Sequence, residues 1–276
     1  MKELRRFLSI PVLTVFLVMG FVYYVTVFVF IEDWVGLETS TGTWNAGIFS
    51  VLAFMCVLSM WVSVVSDPGY VPSSYVPDVE ATDLSGQQLN KDSLESRRCD
   101  KCCMLKPPRA HHCRICRRCV LNMDHHCVWI SNCVGYRNYK AFFLLVLYTS
   151  LASIQSAVVI ICCALQREWD FRGRLRLKIF YIASGLMVTS LAITLGTLLG
   201  WHIYLVIRNM TTIEYRESVR AAWLAKKSGQ SYRHPFDLGA YKNFNLVFGP
   251  NMWKWLCPTA LGHLNDRMSY PTAHDH

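Results

Sequence analysis

The sequence predicts an all-α polytopic membrane protein: four transmembrane helices with a cytosolic cysteine-rich domain between the second and the third. Three observations carry this prediction. Of 276 residues, 53% are hydrophobic and only 17% charged, and the mean hydropathy is +0.24, too apolar for an ordinary soluble enzyme. Four stretches are long and apolar enough to cross a hydrocarbon core of roughly 30 Å. Between the second and third of them, Cys99 to Cys133 holds eight of the twelve cysteines and four of the nine histidines.

Phe7 to Ile31 carries no charge over 25 residues, so it reads as the first span. A signal peptide would need a small-residue cleavage site, and none precedes Glu32-Asp33. Ile48 to Val65 is the second span, extended back to an interfacial Trp44. Ala141 to Leu165 and Ile179 to Ile207 lack Lys, Arg, Asp and Glu and are the third and fourth. Gly196-x-x-x-Gly200, with Ser184, Thr189, Ser190, Thr194 and Thr197, reads as a surface for close helix packing. Cys56, Cys162 and Cys163 read as small apolar residues of the spans. The chain thus divides into 1–66 (two helices and a short luminal loop), 67–96 (linker), 97–140 (cysteine-rich domain), 141–207 (two helices) and 208–276 (tail).

An even number of spans before the cysteine-rich domain puts it on the side of the N-terminus. Residues 97–140 hold ten Lys or Arg against two acids, whereas the first loop has only Glu32, Asp33 and Glu38. By the positive-inside tendency both termini and this domain face the cytosol, outweighing Arg167, Arg172, Arg174, Arg176 and Lys178 in the opposite loop. A reducing cytosol keeps thiols available as metal ligands and nucleophiles. The net charge of +9 then points to anionic lipid or a polyanionic substrate rather than nucleic acid.

The linker, with six acids and one Lys, opens on the turn Asp67-Pro68-Gly69. The tail opens on Thr211-Thr212-Ile213-Glu214, the form of a helix capping box. Tyr215, Val219 and Trp223 follow four apart, suggesting a short amphipathic helix.

Within the cysteine-rich stretch, Cys99-x-x-Cys102 and His112-Cys113-x-x-Cys116-x-x-Cys119 lead to Asp124-His125-His126-Cys127 and Cys133. Paired cysteines interleaved with histidines suit tetrahedral zinc better than disulfides. Two closed sites take eight ligands from twelve candidates, and spacing leaves sequential and interleaved pairing both open.

The stretch resembles the cysteine-rich domain of the DHHC family of protein S-acyltransferases, which move palmitate from palmitoyl-CoA to protein cysteines. Lys106-Pro107, Arg109, His112-Cys113, Asp124 to Cys127, Trp129, Asn132-Cys133, Gly135 and Asn138 stand in register with it. The resemblance implies two structural zinc ions, one on Cys99, Cys102, His112 and Cys119, the other on Cys113, Cys116, His126 and Cys133. Cys103, His111, His125 and Cys127 are then left over. Thioester exchange needs a thiolate, a base and a group that orients the base. Cys127, His125 and Asp124 supply those types.

Lys106, Arg109 and His111 read either as contacts to CoA phosphates or as a solvated basic surface. By resemblance Trp129 joins the acyl-CoA contacts, and Val22 and Ala152 close the far end of an acyl-chain cavity. A stripe of Phe142, Leu145, Thr149 and Ala152 along the third helix would line it. The Asp-Pro-Gly turn, the Thr-Thr-x-Glu run, and Pro235-Phe236, Gly239, Asn243 and Phe248-Gly249 also match family segments. Val128 stands where many members carry Pro and His234 where Asn is expected. Implied partners are acyl-CoA, the lipid bilayer and membrane-associated proteins with juxtamembrane cysteines. Implied locations are endomembranes such as Golgi or endoplasmic reticulum, or the plasma membrane. A different class, a membrane-tethered zinc adaptor without catalysis, would need eight ligands and no spare Cys127.

Overall fold

The computed structural model describes residues 6–76, 97–166, 175–264 and 270–272. The linker beyond Val76 lies outside the described residues, as do Arg167, Arg172 and Arg174 of the loop before the fourth helix. Among the described residues four helices are long and apolar enough to span a membrane: α1 (Ile10–Trp34), α2 (Ser40–Val65), α3 (Tyr139–Gln166) and α4 (Leu175–Ile207).

Each covers most of its expected apolar run, with α1 starting at Ile10 rather than Phe7, and at α2 and α3 polar contacts account for a start ahead of that run. Ahead of α2 the Thr39 hydroxyl accepts from Gly42 N at 3.0 Å, a cap that starts the helix before hydropathy rises. Helix α3 begins before Ala141 because Lys140 is buried, its ammonium donating to the carbonyls of Phe248 (3.2 Å), Lys254 (2.8 Å) and Ala260 (2.9 Å). A charge so satisfied does not end a span.

The chain forms two compact units, Met1–Trp61 with Phe143–Trp201, and Val62–Phe142 with His202–His276. In the first, Val25, Phe30, Ile31, Val159 and Cys163 form a core cluster. Val25–Ile31 of α1 winds as a π-helix, which hydropathy does not signal. Within that stretch the buried Thr26 hydroxyl donates to Val22 O at 2.7 Å and pairs with Ser156 Oγ at 2.6 Å. Among the described residues, no atom comes within 4 Å of a Cβ built on Gly196 or Gly200, so this pattern does not mediate close packing within the chain.

In the second unit the helical expectation gains three short antiparallel hairpins: β1 (Arg98–Cys99) with β2 (Met104–Leu105), β3 (His111–Cys113) with β4 (Arg118–Val120), and β5 (His125–Cys127) with β6 (Asn132–Val134). Strands of two or three residues are too short to leave a period-two pattern. Gly69 (φ 94°) completes the expected turn, in which Asp67 Oδ1 accepts from Gly69 N at 2.7 Å. Gly135 packs so closely that a Cβ would meet Val120 Cγ1 at 2.6 Å.

Two further helices, α5 (Thr212–Lys227) and α6 (Ala240–Phe248), complete the unit. The capping box of α5 is formed from both sides: Thr211 Oγ1 accepts from Glu214 N, and Glu214 Oε2 accepts from Thr211 N. Its buried face is Glu214 and Ser218, whereas Val219 and Trp223 are exposed. Polar anchoring at the N-terminus, rather than an apolar stripe, sets how α5 docks.

Candidate active site

The three hairpins repeat one design. Cys99, Cys113 and Cys127 end the first strand of each and stand fourteen residues apart, as do Cys102, Cys116 and Ile130 at the turns. His112 faces Cys119 across the second hairpin, and His126 faces Cys133 across the third. Neighbouring side chains in extended chain point to opposite sides. Each His-Cys step therefore sends its histidine to the preceding hairpin's turn cysteines and its cysteine to the next site.

Two four-residue groups result, Cys99, Cys102, His112 and Cys119, and Cys113, Cys116, His126 and Cys133, each with ligand atoms within 4.8 Å of one another. In the second, the His126 Nδ1 lies 3.6, 3.5 and 3.5 Å from the sulfurs of Cys113, Cys116 and Cys133. Tetrahedral bond lengths of about 2.0–2.3 Å require ligand separations of about 3.5–3.8 Å, so a metal ion fits. The interleaved pairing follows from hairpin register, which spacing alone left open.

The third hairpin departs from the design. Ile130, buried, stands where the second turn cysteine belongs, and among the described residues no fourth hairpin supplies a His and a Cys. Cys127 is in neither metal group.

Beside it, His125 Nδ1 lies 2.6 Å from Asp124 Oδ2. Asp124 is 1% exposed, and its carboxylate also accepts from Thr212 N at 2.7 Å and Thr212 Oγ1 at 2.9 Å. Burial works against the charge, but the hydrogen bonds and charge of His125 and the Thr212 amide hold the Asp124 carboxyl below its usual range. For His125 burial favours the neutral ring, yet the hydrogen bonds and charges of Asp124 and Cys127 outweigh it, and its pKa rises to about 9. The pocket thus stabilises an imidazole that carries the proton.

The remaining contacts tie this centre to the helices. Asn132 Nδ2 donates to the carbonyls of Ser63 (3.2 Å), Val64 (3.4 Å) and Ser66 (2.9 Å), capping the end of α2. Arg109 donates from Nε to Glu214 Oε1 at 2.6 Å and from Nη2 to Glu214 Oε2 at 2.8 Å, and it also binds Asn209. Its guanidinium lies over the Phe236 ring, 4.4 Å from the centroid.

A family profile described as DHHC palmitoyltransferase matches residues 92–219. A protein of Arabidopsis thaliana named probable protein S-acyltransferase 15 is 57% identical over 257 residues, which cover 93% of this chain and all of that one. The chain belongs to the DHHC palmitoyltransferase family. Probable protein S-acyltransferase 16 of the same plant is 47% identical over 97% of this chain and 94% of its own length. Palmitoyltransferase ZDHHC2 of Danio rerio is 35% identical over 64% of this chain. This DHHC protein is accordingly an S-acyltransferase, and nothing in these relationships favours a non-catalytic adaptor.

Of the DHHC tetrad, Asp124 and His125 are hydrogen-bonded and His126 stands in a metal group, while the residues assigned to acyl-CoA differ in exposure. Arg109 has a side chain 3% exposed and paired with Glu214, so it is a strut of the fold and is not free for CoA phosphates. Lys106 and His111 are half-buried and Trp129 is exposed. Burial, against the charges of Glu217 and Glu214, keeps the His111 pKa below its usual value. Val22 and Ala152 are both buried in the first unit. His234 is buried with Nε2 3.9 Å from Glu214 Oε2. The Thr-Thr-x-Glu run resembles a family segment that contacts the cysteine-rich domain, but sequence reasoning did not find that Thr212 binds Asp124 or that Asn132 caps α2, which depend on tertiary contacts, and it missed Ile130, although the fourteen-residue period would have pointed to it.

Proposed function

We propose that Cys127 is the nucleophile of a ping-pong S-acyl transfer, with His125 as its proton partner and Asp124 as the group that orients and charges His125. The observation that carries this reading is the continuous hydrogen-bonded row from Thr212 through the buried Asp124 to His125 and Cys127, outside both metal groups. The Cys127 sulfur attacks the thioester carbonyl of palmitoyl-CoA, and His125 holds the thiol proton. When the carbon–sulfur bond to CoA breaks, CoA leaves as the thiol with that proton. A substrate cysteine then gives its proton to His125 and attacks the acyl-Cys127 thioester, and Cys127 returns as the thiol. Asp124 stays ionised throughout.

The two Cys₃His groups hold zinc, which supplies folding free energy and leaves no open coordination position for chemistry. Lys106 and His111 bind CoA phosphates, and Trp129 packs against the acyl-CoA beside Cys127. Val22 and Ala152 bound the far end of the acyl chain. The termini and the metal domain face the cytosol of an endomembrane or the plasma membrane. The acceptors are membrane-associated proteins with juxtamembrane cysteines.

The test is incubation of the purified protein with palmitoyl-CoA. Hydroxylamine-labile label on Cys127 is expected, lost in Cys127→Ser with two zinc ions retained. Label that persists in Cys127→Ser, or zinc lost with that substitution, overturns the assignment.

A further inference from the structure

Holding Nδ1 of His125 on Asp124 leaves one freedom unspecified, the rotation of the imidazole plane. Two buried rings, Phe142 and His202, flank that plane in the same unit, and a third, Tyr139, holds His202. Phe142, in the first turn of α3, meets the His125 ring edge-to-face with centroids 5.3 Å apart. His202, near the end of α4, lies 6.3 Å from the His125 ring and 5.1 Å from that of Phe142. Tyr139, the first residue of α3, pairs its hydroxyl with His202 Nδ1 at 3.0 Å. All three are at most 8% exposed.

Filling space does not require a histidine here. A buried imidazole costs about 1–3 kcal/mol if left without a partner, and a leucine or phenylalanine would pack the site without needing one. What the Tyr139–His202 pair adds is a fixed orientation, because a hydrogen bond between two buried rings allows few alternative rotamers. The stretch from His202 to Thr212 thus reaches the centre twice: Thr212 holds the Asp124 carboxylate, and His202 stands against the ring that this carboxylate binds.

We propose that His202, oriented by Tyr139, is a positioning residue that sets the plane of the His125 imidazole so that its second nitrogen faces Cys127. It touches neither substrate nor reacting atoms and acts through His125. The inference rests on the reading of Cys127 and His125 given above.

The test is single-turnover acylation of the full-length protein in detergent across a palmitoyl-CoA series, for His202→Ala, Tyr139→Phe and the double variant, with zinc content measured on each. Misplacing a catalytic group by about 1 Å costs on the order of 100-fold. We expect His202→Ala to lower the maximal rate roughly 10- to 100-fold, with the half-saturating concentration changed less than about twofold. Tyr139→Phe keeps the ring and should fall by a smaller factor, and the double variant should be no slower than His202→Ala, since the two residues act as one unit. Wild-type maximal rates in zinc-replete His202→Ala and Tyr139→Phe overturn the inference. So does an effect confined to the half-saturating concentration. Should His202→Ala lose zinc, Tyr139→Phe decides alone. Absence of label on Cys127 in the wild type sinks the underlying reading instead, before any variant is compared.

Discussion

Asp124 Oδ2 lies 2.6 Å from His125 Nδ1, and both oxygens of that carboxylate are also bound by Thr212, 88 residues further along the chain. A local pair of the cysteine-rich domain is therefore held by the start of α5. The consequence for pH follows from sign. With the carboxylate present the His125 pKa is raised to about 9; without it, Cys127 alone is left to oppose the burial that favours the neutral ring. Asp124→Asn should lower the acylation rate by roughly 100- to 10,000-fold and move the His125 limb of the pH–rate profile downward. Rates measured from pH 6 to about 10 check this, and an unmoved limb would show that the carboxylate does not charge His125.

Stability carries the same signature. The folded-state pKa of His125 lies above the unfolded value near 6.5, so its contribution is complete below that value and is lost as pH rises through about 9. Asp124, held below its usual range, contributes above its unfolded pKa and loses that contribution in acid. Thermal unfolding of the wild type should therefore weaken more steeply than that of His125→Ala between neutral pH and about 9.

Arg109 and Lys106 should separate in their effects. Arg109→Ala leaves Glu214 buried with its principal partner gone, a loss of about 3–5 kcal/mol for breaking a buried pair. The melting temperature should drop. Lys106→Ala should leave it unchanged and raise the palmitoyl-CoA concentration needed for half-maximal acylation. Equal melting temperatures for wild type and Arg109→Ala would contradict the strut.

Ile130 stands at the turn-cysteine position of the repeat. Ile130→Cys creates a second Cys-x-x-Cys turn partner for Cys127. Acylation of that variant should be lost on mild oxidation and recovered with a dithiol reductant. Insensitivity to the oxidant would show that the third hairpin does not share the geometry of the other two.

Ala152→Phe tests the acyl-chain role. Burying alkyl chain is worth about 0.8 kcal/mol per methylene, so a ring that shortens the space should disfavour stearoyl-CoA and palmitoyl-CoA while sparing a short acyl-CoA. Equal loss at every chain length would point to a folding defect.

By itself the sequence determined the four spans, the metal-ligand types and the spare Asp124-His125-Cys127 group, because hydropathy, ligand chemistry and residue adjacency are local properties. The capping box at Thr211 was legible for the same reason: its partners are three residues apart. Tertiary structure decided what depends on residues distant in sequence. It decided that Arg109 is spent on Glu214, 105 residues away, that Lys140 lies inside a span because three tail carbonyls accept its charge, and that α5 buries Glu214 and Ser218 rather than Val219 and Trp223. It also chose the interleaved metal groups, since strand register, not spacing, selects which turn cysteines each histidine meets. A polar or charged side chain shows its type in the sequence, but its energy depends on the partner it finds, and only the folded chain supplies that partner.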